Sequence, residues 1–355
     1  FAPASLLMLV PALGGAATLL AARRIRFDRV DGAAAGFAAL SLAWTALPVF
    51  LWSTKALLSL VGMPMQFDVA ALSIEPLLLR LLVPALLFAI PIWPIRDALS
   101  RWLWIAALSL AAVIGGIAIH SLYRIGFAAV AGDNFIATGI LQRLVWDALL
   151  IGTGWFALTR GLIGLARPLI VAGTAHALFY GLILHNPLWS VQAVGAWPLV
   201  NLLIPLFLLP WLGLTRTTAL FDKAAAPLDR VIQIATMLLV AGFAWATLRQ
   251  LFHGSLLTEP GVTEAENILR SILLLALALG FLLWGIRTKH HDWRIASLVL
   301  MIGAAGKVFL FDASGLEGLA RIGSFVALGF SLIGIGWLYS RQLAPDREGN
   351  APTSA

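Results

Sequence analysis

Five ionisable side chains fall inside long apolar runs or at their ends: Arg80, Arg143, Asp147, Arg270 and Lys307. His120, His185, Asp312 and Arg321 stand at the same level of their own runs. Ionisable groups are costly to keep in apolar surroundings, and where they persist they mark ligand or ion pathways. An arginine fork binds both oxygens of a phosphate or carboxylate at once. The set therefore reads as a polar vestibule for an anionic head group, glycan, small solute or ion. Asp147 is the most telling member, because its short side chain cannot stretch to a wet interface as lysine and arginine do. The same spacing supports a structural reading. Arg143 and Asp147 are four residues apart, as are Glu266 and Arg270, so each pair shares a helix face. Glu75 is near Arg80, and Asp312 lies about one turn beyond Lys307. Bases and acids then balance, which argues against a strongly basic funnel.

Other chemistry-bearing types are sparse. His176 lies mid-run and reads either as a proton relay or as a histidine bonded to a neighbouring helix. His290 and His291 sit in a polar turn without further metal-ligand types beside them, so the turn reads as solvated. Gly306-Lys307 lacks the upstream glycine of a phosphate-binding loop, and no HExxH, GxSxG or dinucleotide fingerprint occurs. No catalytic residue, metal site or cofactor is expected. Cysteine is absent, which excludes disulfides, zinc–thiolate sites and thiol nucleophiles.

The elements that must hold these residues are spans. The chain is 61% hydrophobic and 12% charged, with a mean hydropathy of +0.94. Soluble domains carry about 25% charge, so the solvent for this chain is lipid. Apolar runs at 5–22, 33–51, 77–95, 102–119, 143–159, 168–185, 199–214, 229–250, 267–286, 295–311 and 322–339 predict an all-α, polytopic membrane protein of about eleven spans. Lys and Arg gather in alternate loops, at 23–32, 96–101, 160–167, 215–230, 287–294 and beyond 340. By the positive-inside rule the N-terminus is outside and the C-terminus cytoplasmic. The net charge of +7 thus sets topology and implies no nucleic-acid partner. The first span lacks a preceding basic residue and is a poor signal peptide. Residues 1–343 form the membrane domain, and 344–355 form a disordered cytoplasmic tail.

The outer loops 52–76 and 120–142 are long and half apolar, as interfacial or re-entrant segments are. Tryptophans near span ends form an aromatic belt. Paired glycines permit close helix contacts. Pro84 and Pro91, with Arg80, are a weak pointer to a broken helix. Arg143, Arg160, Arg167 and His185 have the spacing of Arg270, Arg287, Arg294 and Asp312, which admits a parallel repeat over about 143–214 and 270–341. Recurrent cytoplasmic arginines would produce part of that pattern without a repeat.

One stretch carries a resemblance. Lys307, Val308, Phe309, Leu310, Asp312, Ser314, Leu316, Leu319, Arg321, Ile322, Ser324 and Phe325 precede a glycine-rich apolar run ending at Tyr339 and Arg341. This order, over 263–341, resembles the C-terminal end of a bacterial family of multi-pass membrane proteins known as domain of unknown function 2339. The resemblance implies a bacterial inner-membrane location and a longer product of which this chain is the C-terminal part. It brings no catalytic residues. Three functions remain open: a transporter or flippase-like protein handling an anionic lipid, glycan or small solute; a scaffold that binds other membrane proteins or a missing N-terminal portion; and a transferase acting on a lipid-linked substrate, with Asp68, Asp133, Glu259 or Glu264 as its acid.

Overall fold

The structure, a computed structural model, describes residues 49–61, 74–86, 100–198, 200–220 and 226–310, with isolated positions near 13, 45, 63 and 326–337. The expected spans at 5–22 and 322–339, most of 33–51 and half of 77–95 lie outside the described residues. The described chain is helical, and its only strand-like features are two isolated bridges. Two compact units divide it, residues 1–146 and 147–355.

In the first unit, α1 (Val49–Leu60) is a short apolar helix that takes in the end of the expected 33–51 span and the first part of the 52–76 loop. Helix α2 begins at Ile74–Leu77 and widens into a π-helical turn over Leu78–Leu82, where Val83 N–H donates to Leu78 O. Pro84 accounts for the widening. It has no N–H to offer Arg80 O, and its ring crowds that carbonyl in an α-helical turn. Leu77, Leu81 and Ala85, one face of α2, pack on Ile114, Ile117 and Ala118 of α3 (Arg101–Ala131).

Helix α3 corrects the expected loop at 120–142. It runs unbroken for 31 residues, about 46 Å at 1.5 Å per residue, and so overshoots a ~30 Å hydrocarbon layer. The break falls instead at Gly132-Asp133-Asn134. Gly132 takes φ +78°, where a side chain would be strained. Asn134 Oδ1 then accepts from Ile136 N (2.9 Å) and Ala137 N (3.1 Å) to start α4 (Phe135–Thr159). Arg124 fastens the hairpin, donating to Gln142 Oε1 (2.7 Å) and Asp133 Oδ1 (3.0 Å).

The second unit takes up α4 at Asp147 and adds α5 (Ile163–Leu184), α6 (Leu203–Leu220), α7 (Ala226–His253), α8 (Glu264–Thr288) and α9 (His291–Leu310). Glycines set the approach of successive helices. A Cβ on Gly154 of α4 would stand 2.7 Å from Ile170 Cγ1 on α5, and one on Gly173 would stand 2.9 Å from Ile151 Cγ1. Gly213 of α6 meets Thr174 of α5, Gly242 of α7 meets Phe207 of α6, and Gly285 of α8 meets Trp293 and Arg294 of α9. Such small-residue contacts let helices pack without a hydrophobic driving force, as lipid requires. Polar bonds add to them: Ser297 Oγ donates to Ala278 O (2.6 Å), and Trp293 Nε1 to Gln233 Oε1 (2.7 Å).

Among the described residues, five helices are long and apolar enough to cross a membrane: Trp104–Ala131, α4, α5, Leu228–His253 within α7, and α8. Large apolar side chains stay exposed along them, among them Phe156, Phe179, Leu238 and Leu283. That is the pattern of a surface whose solvent is lipid.

Candidate functional site

The loops 185–202 and 254–263 pack together at one end of the second unit, its loop end. Val194 N donates to Ser255 O (2.9 Å). Gln250 of α7 donates to Gly195 O (2.8 Å) and accepts from Asn201 Nδ2 (2.6 Å). Asn201 Oδ1 in turn accepts from Leu203 N (2.9 Å) and starts α6.

A charged hub sits beside these loops. Glu266, in the first turn of α8, has no exposed surface. Its Oε1 accepts from Arg249 Nη1 (2.9 Å) and Arg270 Nη2 (2.7 Å), and its Oε2 lies 2.9 Å from His253 Nε2. Arg249 spends its remaining donors on the 254–263 loop, reaching the carbonyls of Leu257 (3.0 Å), Glu259 and Gly261 (2.9 Å). Arg270 lies over the Trp245 ring, 5.1 Å from its centroid. On the adjoining face of α8, Lys307 Nζ of α9 donates to Ser271 Oγ (2.6 Å) and Asn267 O (3.2 Å). Glu259 and Glu264 are exposed at the rim.

A second constellation lies deeper. Asp147 Oδ1 is 2.7 Å from Nδ1 of His176, and the carboxylate is 3% exposed. Helix α5 changes at that histidine from α-helical to π-helical, over His176–Leu184. The His176 ring stacks on Tyr180 (5.0 Å, 17°), and Tyr180 meets the buried His185 edge-on (4.6 Å). Side chains satisfy the last carbonyls of α5: Asn186 Nδ2 donates to Leu182 O, Trp189 Nε1 to Ile183 O and Gln192 Nε2 to His185 O.

A family model described as "Predicted membrane protein (DUF2339)" matches residues 2–342. The chain belongs to this family. It is an all-helical membrane protein, and the resemblance carried by 263–341 extends over almost the whole chain. No curated protein and no solved structure matches it. The family is one of unknown function, so the site has to be read from its own geometry.

Of the residues singled out by sequence, Arg270 and Lys307 come together at the loop end on adjoining faces of α8. Asp147 lies deeper with His176. Arg143 belongs to the first unit, buried and 5.5 Å from the Phe135 ring centroid. Arg80 occupies the widened turn of α2, while its side chain, Asp312 and Arg321 lie outside the described residues. The Glu266–Arg270 pairing expected from i, i+4 spacing is present. Asp133 is bound to Arg124. Arg249 and His253 were not legible as partners of Glu266, because a reversing loop separates them from it. The capping Thr263 that starts α8 against Glu266 N was a usable signal for where that loop ends. Among the described residues no His, Cys, Asp and Glu group could hold a metal ion.

Proposed function

We propose that the protein is a transporter or flippase-like carrier of an anionic lipid, glycan or small solute, with the loop end of the second unit as its anion-binding mouth. Arg270 is the observation that carries this reading. Glu266 and Trp245 fix its guanidinium, yet among the described residues its Nε and Nη1 meet no acceptor. A held guanidinium with one open edge suits a phosphate or carboxylate, which takes two parallel N–H bonds. Lys307, anchored one residue further along α8 at Ser271, adds a second cation. The exposed Glu259 and Glu264 keep the rim from being broadly basic, which suits selective capture better than a steering funnel.

The reading includes a topology: a bacterial inner membrane crossed about eleven times, with the N-terminus outside and the C-terminus cytoplasmic. Residues 1–343 form the membrane domain and 344–355 the tail. Parallel repeats at about 143–214 and 270–341 belong to it, and the equal lengths of α4 and α8, 25 residues each, support them. On this topology the loop end faces outward.

A non-catalytic scaffold or subunit that binds other membrane proteins is the second reading. The Arg249–Glu266 hub favours it, since that hub spends its bonds on shaping a loop. Native mass spectrometry of the gently extracted chain separates the two, using phosphatidylglycerol nanodiscs and inorganic phosphate as probes. The carrier reading expects retained anion, reduced at least tenfold by Arg270→Gln and preserved by Arg230→Gln, whose target is 65% exposed. Equal retention by both variants, or a co-purifying polypeptide in place of the anion, would turn the assignment to the scaffold.

A further inference from the structure

We propose that Asp147 and His176 form an intramembrane proton-binding pair, at which one proton passes between carboxylate and imidazole. This stands apart from the anion reading and concerns a different depth of the protein. Asp147 lies midway along α4, with Phe135 and Thr159 each twelve residues away, so it is about 18 Å from either end at 1.5 Å per residue. His176 lies near the middle of α5. The pair therefore sits where a lone charge costs most.

At that depth the two groups fit one proton. With one proton the pair carries no net charge, whether written as carboxylate and imidazolium or as carboxylic acid and imidazole. Moving the proton across the 2.7 Å gap breaks an N–H bond and forms an O–H bond, and needs no other reactant. Losing that proton leaves the pair negative, with Arg143 one turn away along α4, and gaining a further one leaves it positive. The state of the pair is thus linked to any motion that changes its surroundings.

On α5, Tyr180 faces His176 as a stacked ring. On α6 the only ionisable residue is Arg216, and it lies over Trp155, two turns beyond Asp147. The nearest charged residue along α4 is Arg143, one turn before Asp147. The change of helix type falls at His176 itself, and π-helical geometry recurs at functional sites. From the pair, Tyr180 and the buried His185 continue as a column of rings towards the loop end.

Infrared difference spectroscopy on the full chain in lipid nanodiscs tests this, with pH as the perturbation. The expected result is a buried carboxylic-acid band that appears and disappears with pH in the wild type. Asp147→Asn removes it, and His176→Gln moves its midpoint by tenfold or more in proton concentration. A wild-type spectrum with no such band at any pH where the protein stays folded, together with a His176 ring nitrogen signal in ¹⁵N NMR that does not move, overturns the proposal. So does a band that survives Asp147→Asn. Should Asp147→Asn fail to fold, Asp147→Glu assigns the band by shifting its frequency, and the ¹⁵N signals report on His176.

Discussion

Glu266→Gln is the sharpest test of how the loop end is held. The substitution keeps the shape of the side chain and removes its charge. In the wild type one carboxylate with no exposed surface faces two guanidinium groups and an imidazole, at 2.9, 2.7 and 2.9 Å. Each charge-assisted bond contributes about 1.5–3 kcal/mol, non-additively. Glutamine can keep one acceptor oxygen for the two guanidinium groups, but that oxygen is uncharged, and its amide puts N–H groups where Oε2 met His253 Nε2. Arg249 and Arg270 are 13% and 19% exposed, so hydration recovers only a small part of the loss. Stranding a buried partner costs about 3–5 kcal/mol, and we take the lower end, about 3 kcal/mol. That is about 150-fold in the folded-to-unfolded ratio. Reversible unfolding in mixed lipid–detergent micelles, followed by tryptophan fluorescence, reads it directly. A control in Arg230→Gln, which breaks a pair 65% exposed on the arginine side, should move stability by less than about 1 kcal/mol. A Glu266→Gln cost no greater than that control would refute the view that the hub holds the loop.

Two further outcomes follow from contacts elsewhere in the second unit. Gly213→Ala places a methyl 2.1 Å from Thr174 Oγ1, so it should destabilise by about 1–3 kcal/mol; Thr174→Ala in the same chain should return part of that, as the same unfolding assay would show. Gln250→Leu cuts the bonds to Gly195 O and Asn201, and faster hydrogen exchange should then appear in 193–202 while α8 and α9 are unchanged.

The described helices of the second unit were legible because lipid imposes long apolar runs, and α7 and α8 fall within a few residues of the runs at 229–250 and 267–286. The end of α3 was misplaced because apolar helix does not stop where hydrocarbon does: Ser121 to Ala131 continue the same turns. Gly132-Asp133-Asn134 was the missed signal, a left-handed stop followed by an N-cap. Within the site, Glu266–Arg270 could be read from helical spacing alone. Asp147 and His176 were each visible as polar residues in apolar runs, but 29 positions of chain separate them, and no periodicity joins two helices. The same holds for Arg249 and His253, whose meeting with Glu266 depends on how the 254–263 loop reverses the chain.

The glycine contacts have a consequence for assembly. Each joins a helix to the one made just before or after it: α4 to α5, α5 to α6, α6 to α7, α8 to α9. Two of these pairs are linked by the tight connections at 160–162 and 289–290, where the entropy lost on closure is small. Contacts of such short sequence separation form quickly. The helices can therefore settle in the order in which they emerge from the ribosome, each docking on a neighbour already in the membrane. The Arg249–Glu266 hub, which needs α8 to be in place, closes late in that order and locks what the glycines have aligned.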